Sequence, residues 1–113
     1  MDDLRILTNL RKGVLECCVL ALMQDHDVYG VDLAKRLTAL GLIASEGTLY
    51  PVLSRLRKTG LVSTRWEEST MGPPRRYYSI TAEGRHVVEQ FQHIWGSFST
   101  SVEAALRGGG KDE

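Results

Sequence analysis

The sequence is poor in cysteine, proline and aromatic residues, and it carries no net charge. Its 113 residues include two cysteines, three prolines and 7% aromatic side chains, with 14 basic residues balanced by 14 acidic ones. Cys17 and Cys18 are adjacent and cannot form a disulfide framework, so we interpret both as small core residues. The longest apolar run, residues 17 to 23, is far shorter than the roughly 20 residues of a membrane-spanning helix. The sequence therefore predicts neither a disulfide scaffold nor a membrane protein.

Signals for secretion, catalysis and metal binding are also missing. Asp2 and Asp3 stand where a secretory signal would be basic, so we expect a cytoplasmic location. His86 and His93 lie about 10.5 Å apart along a helix, too far for both to hold one ion without a bridging ligand. No Gly-rich phosphate loop and no motif of nucleophile, base and acid occurs. We expect no metal, no cofactor and no enzyme activity, and a small cysteine-dependent enzyme is the alternative that rapid thiol labelling would support.

The composition that remains is that of one soluble domain. The chain is 42% hydrophobic and 25% charged, which is close to the average for globular proteins. Its charge is unevenly distributed, since residues 45–80 carry a balance of +3, residues 1–44 one of −1 and residues 81–113 one of −2. The middle of the chain is thus the part that favours contact with phosphates, although an excess of three is also compatible with a solvated face.

Apolar periodicity predicts three short helices in the first half of the chain. Residues spaced by three and four indicate a first helix that runs to about Gln24, followed by a second helix that Gly30 opens and Gly41 stops. A third helical pattern begins at Ser45 and ends with Gly60 in the position of a left-handed cap. Pro51 removes an amide within this third pattern, so the helix either begins late or is locally bent.

The period changes from helical to alternating after Gly60. Residues 62–67 and 75–80 predict two strands, and Pro73 and Pro74 mark the tip of the hairpin between them. Thr81 is a predicted cap for a long last helix. Three helices, a hairpin and a final helix predict an α+β, mostly α fold, a winged helix-turn-helix with a long C-terminal dimerisation helix. We divide it into a DNA-binding domain at 1–80, a dimerisation helix at 81–107 and a flexible tail at 108–113.

Five short motifs in this order resemble the PadR family of bacterial transcriptional regulators. The resemblance covers residues 13 to about 106, and the single last helix is similar to the short subfamily. It implies a homodimeric repressor that a small aromatic effector releases from DNA, often controlling efflux or detoxification genes. The wing tip, residues 69–71, departs from the pattern because it has no basic residue. The motifs are Val28-Tyr29-Gly30-Val31, Gly47-Thr48-Leu49-Tyr50-Pro51, Leu56 with Gly60-Leu61-Val62, Gly72-Pro73-Pro74-Arg75-Arg76-Tyr77-Tyr78, and Ile80-Thr81 with Gly84.

Exposed positions of the third helix and the hairpin form the candidate DNA surface. A helix fits the major groove while a basic hairpin reaches the neighbouring phosphates. Alternation along a strand sends the side chains of Arg75 and Arg76 to opposite faces, so at least one should meet a phosphate. A solvated arginine pair and a Tyr50 packed sideways on the wing are the structural alternatives. The candidate DNA-contacting residues are Ser45, Thr48, Tyr50, Pro51, Arg55, Lys58, Gly72, Arg75 and Arg76.

The last helix carries more apolar residues than three short helices can cover, so we predict that a second copy of the chain covers it. The alternative is that it folds back onto its own domain. The resemblance implies that Trp95 stacks on a flat effector at the dimer centre, with Phe91, Phe98 and Val102 around it; Trp95 as core filler is the other interpretation. The predicted dimerisation residues are Val88, Phe91, Ile94, Trp95, Phe98 and Val102. Predicted partners are a pseudo-palindromic DNA operator and this second copy, and a protein-docking winged helix that binds no DNA is the rival function.

Overall fold

The computed structural model describes residues 2–108. The elements in chain order are α1 (Asp3–Ala21), β1 (Val28–Tyr29), α2 (Gly30–Ala39), a 3-10 turn (Glu46–Thr48), α3 (Leu49–Lys58), β2 (Val62–Glu67), β3 (Arg75–Ile80) and α4 (Ala82–Leu106). This mostly helical order confirms the predicted winged helix-turn-helix with a long last helix. Apart from Gly108, the tail predicted at 108–113 lies outside the described residues.

Local capping explains where several helices begin and end. The Asp2 carboxylate accepts a hydrogen bond from the Arg5 amide at 2.8 Å at the start of α1. Thr81 accepts one from the Gly84 amide at 3.1 Å, and this confirms it as the cap of α4. Gly60 has φ +81, which confirms the predicted left-handed residue after α3. Helix α1 ends at Ala21, three residues before the predicted end near Gln24.

The three strands form one antiparallel sheet in the order β1-β3-β2. Val28 and Thr64 both pair with Tyr78, and Trp66 pairs with Arg76. Because side chains alternate across a sheet, Val28, Val62 and Tyr78 share one face, and all three are buried against the helices. We call this the inner face of the sheet, and the other, which carries Arg65 and Tyr77, the outer face. Strand β1 was not predicted from the sequence.

The core is built by the helices together with the inner face of the sheet. Among the described residues its buried members are Leu15, Val19, Leu20, Met23, Val28, Leu33, Ala34, Leu37, Ile43, Leu49, Val52, Leu53, Leu56, Val62, Tyr78 and Val88. Only the start of α4 joins this core, through Gly84 and Val88. Val88 is 1% exposed, so its assignment to the dimerisation face is wrong: its own chain already covers it. The rest of α4 extends beyond the core.

Candidate nucleic-acid interface

Helix α3 presents one polar face to solvent because its apolar residues all turn inward. Leu49, Val52, Leu53 and Leu56 are buried, while Pro51 and Lys58 on the other side are exposed. Pro51 is the third residue of α3, where a backbone amide has no partner inside the helix, so its missing hydrogen does no harm. Of the two possibilities left open by the sequence, the late start is the one observed.

Ser45 precedes the 3-10 turn that leads into α3, and Thr48 is the last residue of that turn. Both are exposed, and within residues 2–108 neither side chain makes a capping hydrogen bond. Ser45 therefore occupies the cap position of the turn without acting as a side-chain cap. The two hydroxyl groups lie at the amino end of α3, where each remains accessible to an external acceptor.

Tyr50 packs sideways and is still partly exposed. Its hydroxyl donates to the Glu46 carboxylate at 3.0 Å, and its ring lies beside Gly30, where an added Cβ would come 3.3 Å from the ring. Burial, and then the hydrogen bond to Glu46, raise the pKa of Tyr50 above its usual value. The phenol thus stays protonated at neutral pH, and 39% of the residue remains exposed at the amino end of α3.

The basic residues of α3 all lie in its last turn. The Arg55 Nε lies 3.3 Å from the Glu16 carboxylate, an exposed ion pair that joins α3 to α1. Arg55 therefore borders a groove between these helices, which Lys12 and Thr48 also line. Lys58 is exposed in the last turn of α3. The structure thus places Arg55 and Thr48 along one groove, and Lys58 lies in the same last turn of α3 as Arg55.

The outer face of the wing holds a network of compensated charges. Arg65 forms ion pairs with Asp27 at 3.2 Å and with Glu67, and it stacks over Tyr77 at 4.9 Å. A hydrogen bond from the Ser79 side chain, together with Arg65, holds the pKa of Asp27 below its usual value. Because Arg65 has two acidic partners, its own positive charge is compensated on this face.

Arg75 and Arg76 point to opposite faces of the wing, as alternation predicts. The Arg75 guanidinium carbon lies 5.0 Å from the centre of the Tyr29 ring on the outer face. The Arg76 guanidinium carbon lies 5.6 Å from the Trp66 ring and 5.8 Å from the Tyr78 ring on the inner face. Cation–π contacts of this kind hold a guanidinium in place while leaving its edge able to donate.

The tip of the wing is polar and open. Gly72 has no neighbouring atom within 4 Å of an added Cβ, and Met71 beside it is 93% exposed. The tip loop, residues 68–74, carries no basic side chain. Gly72 is therefore placed near Arg75 in sequence but adds no charge to a phosphate contact.

A second candidate surface runs along α4. Phe91 and Trp95 stack with ring centres 5.6 Å apart, and Trp95 continues to Phe98 at 6.4 Å. Ile94, Trp95, Phe98 and Val102 are exposed, and the amino-terminal half of α1 exposes Leu4, Ile6, Leu7 and Leu10. These two helices pack against each other. We call these two sets of exposed apolar side chains together the α1–α4 face.

The chemistry of the two cysteines agrees with a structural role. Burial raises the pKa of the Cys17 thiol, and the neighbouring Cys18 and Glu16 raise it further; burial also raises that of Cys18. A raised pKa leaves less thiolate at neutral pH, and the thiolate is the nucleophile.

In the part of the chain that the structure describes, no three His, Cys, Asp or Glu side chains are grouped to hold a metal ion. No helix there is both long and apolar enough to cross a bilayer.

Sequence reasoning overlooked Trp66 and Glu46 as members of the candidate interface. The Glu46–Tyr50 spacing of four residues is a signal that could have found their hydrogen bond. Trp66 was recognised only as a strand residue, because its contact with Arg76 depends on the register of the hairpin. Register follows from the pairing of two strands and cannot be counted from either strand alone.

Comparison with known proteins agrees with this architecture. Residues 19–90 match the family described as Transcriptional regulator PadR-like family. A PadR-like transcriptional regulator from Bacillus cereus is 40% identical, with a TM-score of 0.79 over 88% of this chain and 98% of its own. A PadR family transcriptional regulator from Eggerthella lenta is 31% identical, with a TM-score of 0.81 over 92% and 91%.

A more distant structure is that of Bacillus subtilis PadR in complex with operator DNA. It is 22% identical, with a TM-score of 0.63 over 70% of this chain and 46% of its own length, and therefore shows a shared fold. The family match spans well over half of the chain and includes α2, α3 and the wing. With these findings, the chain belongs to the PadR-like family of transcriptional regulators, and it is a regulator and not an enzyme.

Proposed function

We propose that the chain is a homodimeric repressor that binds a pseudo-palindromic DNA operator and leaves it when a small planar aromatic effector binds. The observation that carries the proposal is the exposed polar face of α3 beside a wing whose inner face presents Arg76. A helix of this kind fits the major groove, and an adjacent hairpin reaches phosphates across the neighbouring backbone. The DNA-bound state of the Bacillus subtilis relative supports this use of the fold.

Residues of the interface take two kinds of role in this proposal. Thr48, Tyr50 and Pro51 lie at the amino end of α3, which in a helix-turn-helix contacts base edges. Basic side chains bind phosphates and add affinity without regard to sequence. The phosphate-binding set is Arg55, Lys58, Arg75 and Arg76, with Ser45 and Gly72 supplying hydroxyl and backbone contacts.

The α1–α4 face supplies the proposed dimer contact. Its exposed leucine, isoleucine and aromatic side chains are support for an interface, because monomeric proteins rarely expose large groups of such side chains. A two-fold dimer built on these helices places its two α3 helices about 34 Å apart, one turn of DNA. The pseudo-palindromic operator follows from that symmetry.

The effector site is proposed at the same face. Trp95 is 45% exposed and stacks on Phe91, with Phe98 and Val102 as further walls. Paired across a two-fold axis, two Trp95 rings enclose an apolar slot for a flat, aromatic molecule. Because the slot lies in the dimer contact, an effector that alters the contact changes the spacing of the α3 helices. Effectors of this chemistry fit the control of efflux or detoxification genes.

Salt-dependent DNA binding tests the proposal. We expect a labelled duplex from the region upstream of the gene to bind, with log K falling linearly as log salt rises. Thr48→Ala and Tyr50→Ala should lose more affinity on this duplex than on random DNA. Arg76→Ala should lose affinity on both and reduce the salt slope by about one.

Arg107→Ala is the matched control for charge, because Arg107 stands at the far end of α4 and pairs only with Glu103 among the described residues. It should bind DNA like the wild type. A folded wild-type protein that binds no duplex at low salt would contradict the proposal and favour a protein-docking winged helix.

A further inference from the structure

A continuous row of side chains connects α3 to the inner face of the wing. Tyr50 of α3 and Tyr78 of β3 both lie beside Gly30, where an added Cβ would come 3.3 Å from the first ring and 3.6 Å from the second. The Arg76 guanidinium follows on the Tyr78 ring, and Trp66 follows on Arg76. The row therefore begins at the helix proposed to enter the major groove and ends at the Trp66–Arg76 pair, next to the last strand pair before the tip loop.

Arg76 is held in one orientation within this row. Its guanidinium lies between the Tyr78 and Trp66 rings, and Nη2 donates to the Thr64 hydroxyl at 3.4 Å. Its Nε is buried and, among residues 2–108, has no hydrogen-bond partner. Arginine side chains lose much rotational freedom when they bind, and stacking of the planar guanidinium removes part of that loss in advance. The Trp66 ring is thus part of what orients the charge.

Trp66 itself is open to solvent and faces no acidic neighbour along the strands. It is 67% exposed, so this large aromatic side chain contributes little buried apolar area to the fold. Alternation puts Thr64, Trp66 and Arg76 on the inner face, while Glu67 lies on the outer face with Arg65. A surface with one fixed cation, an exposed ring and an indole N–H donor suits a polyanion that also offers apolar sugar faces.

We propose that Trp66 is a DNA-contacting residue that packs on the deoxyribose-phosphate backbone and positions Arg76 against an adjacent phosphate. The inference rests on the proposed function, since it concerns the DNA that α3 binds. Phosphate accepts hydrogen bonds from the indole N–H and from the guanidinium edge, and the sugar covers the ring. The wing therefore holds DNA through its inner side, without basic residues at its tip.

Tryptophan emission tests the contact directly. The chain contains two tryptophans, so Trp95→Phe leaves Trp66 as the sole emitter. A fluorescein-labelled random-sequence duplex of about 30 base pairs, long enough for two half-sites, is titrated at low salt. Binding is followed by fluorescein anisotropy, and an unlabelled duplex of the same sequence is used to follow tryptophan emission. We expect Trp66 emission to fall along the same binding curve, and unchanged emission at saturating anisotropy would overturn the contact.

A double-mutant cycle tests the positioning role. Trp66→Ala should weaken binding about fivefold, the size of an exposed cation–π contact. Trp66→Phe, which keeps a ring over Arg76, should lose less. If Trp66 acts through Arg76, the loss in Trp66→Ala/Arg76→Ala should be smaller than the product of the single losses.

Met71→Ala removes another exposed apolar side chain from the same wing and should bind like the wild type. Strictly multiplicative losses in the cycle, or an equal loss in Met71→Ala, would overturn the assignment of Trp66. Absence of any anisotropy change with the wild-type protein would instead contradict the proposed function, so the two failures are distinguishable.

Discussion

The Leu61 carbonyl oxygen lies so close to Gly84 that no side chain fits at residue 84 without displacing it. A Cβ built on Gly84 would come 2.3 Å from that oxygen and 2.7 Å from the Ile80 side chain. Thr81 fixes this approach, because its hydroxyl donates to the Gly60 carbonyl at 2.7 Å while it accepts from the Gly84 amide. Glycine at 84 is therefore what lets α4 begin directly against the end of the α3–β2 turn.

Gly84→Ala should destabilise the fold by roughly 1–3 kcal/mol, because the carbonyl that it meets belongs to the backbone and cannot rotate away. Gly13→Ala is the matched control. Gly13 is also helical, with nothing within 4 Å of an added Cβ, and alanine there should stabilise the protein by about 1 kcal/mol. Thermal or urea unfolding measures both, and equal effects would contradict the steric reason.

Asp27 should make the stability of the protein depend on acid pH. Its pKa is lowered from 3.8 by the Ser79 hydrogen bond and by Arg65, so the contribution is present above the unfolded-state pKa and is lost as pH falls through the folded value. Asp27→Asn should lower stability at neutral pH and converge with the wild type in strong acid. Asp25→Asn, at an exposed site two residues earlier, should leave the stability of the protein unchanged at neutral pH. Parallel curves for Asp27→Asn and wild type would refute the linkage.

Phe98→Glu should convert the proposed dimer to a monomer, because it puts a charge in the middle of the α1–α4 face. Sedimentation at micromolar concentration would then give about half of the wild-type mass. Thr100→Glu introduces the same charge on the other side of α4, because two residues of a helix turn by about 200°. It should leave the mass unchanged. A wild-type monomer, or a Phe98→Glu protein of unaltered mass, would contradict the proposed dimer.

A planar dye should quench Trp95 and release DNA if the effector slot lies between the two Trp95 rings. Trp66→Phe leaves Trp95 as the sole emitter, which isolates its signal. Trp95→Ala should abolish the response while the protein remains folded, because stacking area is lost from the slot. If Trp95→Ala keeps its dimer, its DNA affinity and an unaltered release by dye, the slot lies elsewhere.

Local patterns were sufficient for the elements that neighbouring residues build. Both wing strands occupy the predicted residues 62–67 and 75–80, because alternation and the two prolines act within a few positions. Gly60 and Thr81 were predicted for the same reason, since each ends or begins a helix through its own backbone or side chain. The family motifs lie on these same segments, which is why the sequence alone predicts the fold class.

Other features depended on residues far apart in the chain. Val28 pairs with Tyr78, so the two-residue β1 exists only because β3 provides a partner. Val88 repeats with the same spacing as the exposed residues of α4, and only packing against the core distinguishes it from them. Helical spacing defines a face of α4, but which part of that face the chain itself covers depends on where the core ends. The contact of Trp66 with Arg76 likewise arises from strand register, which hydrogen bonding between two segments sets and neither segment encodes alone.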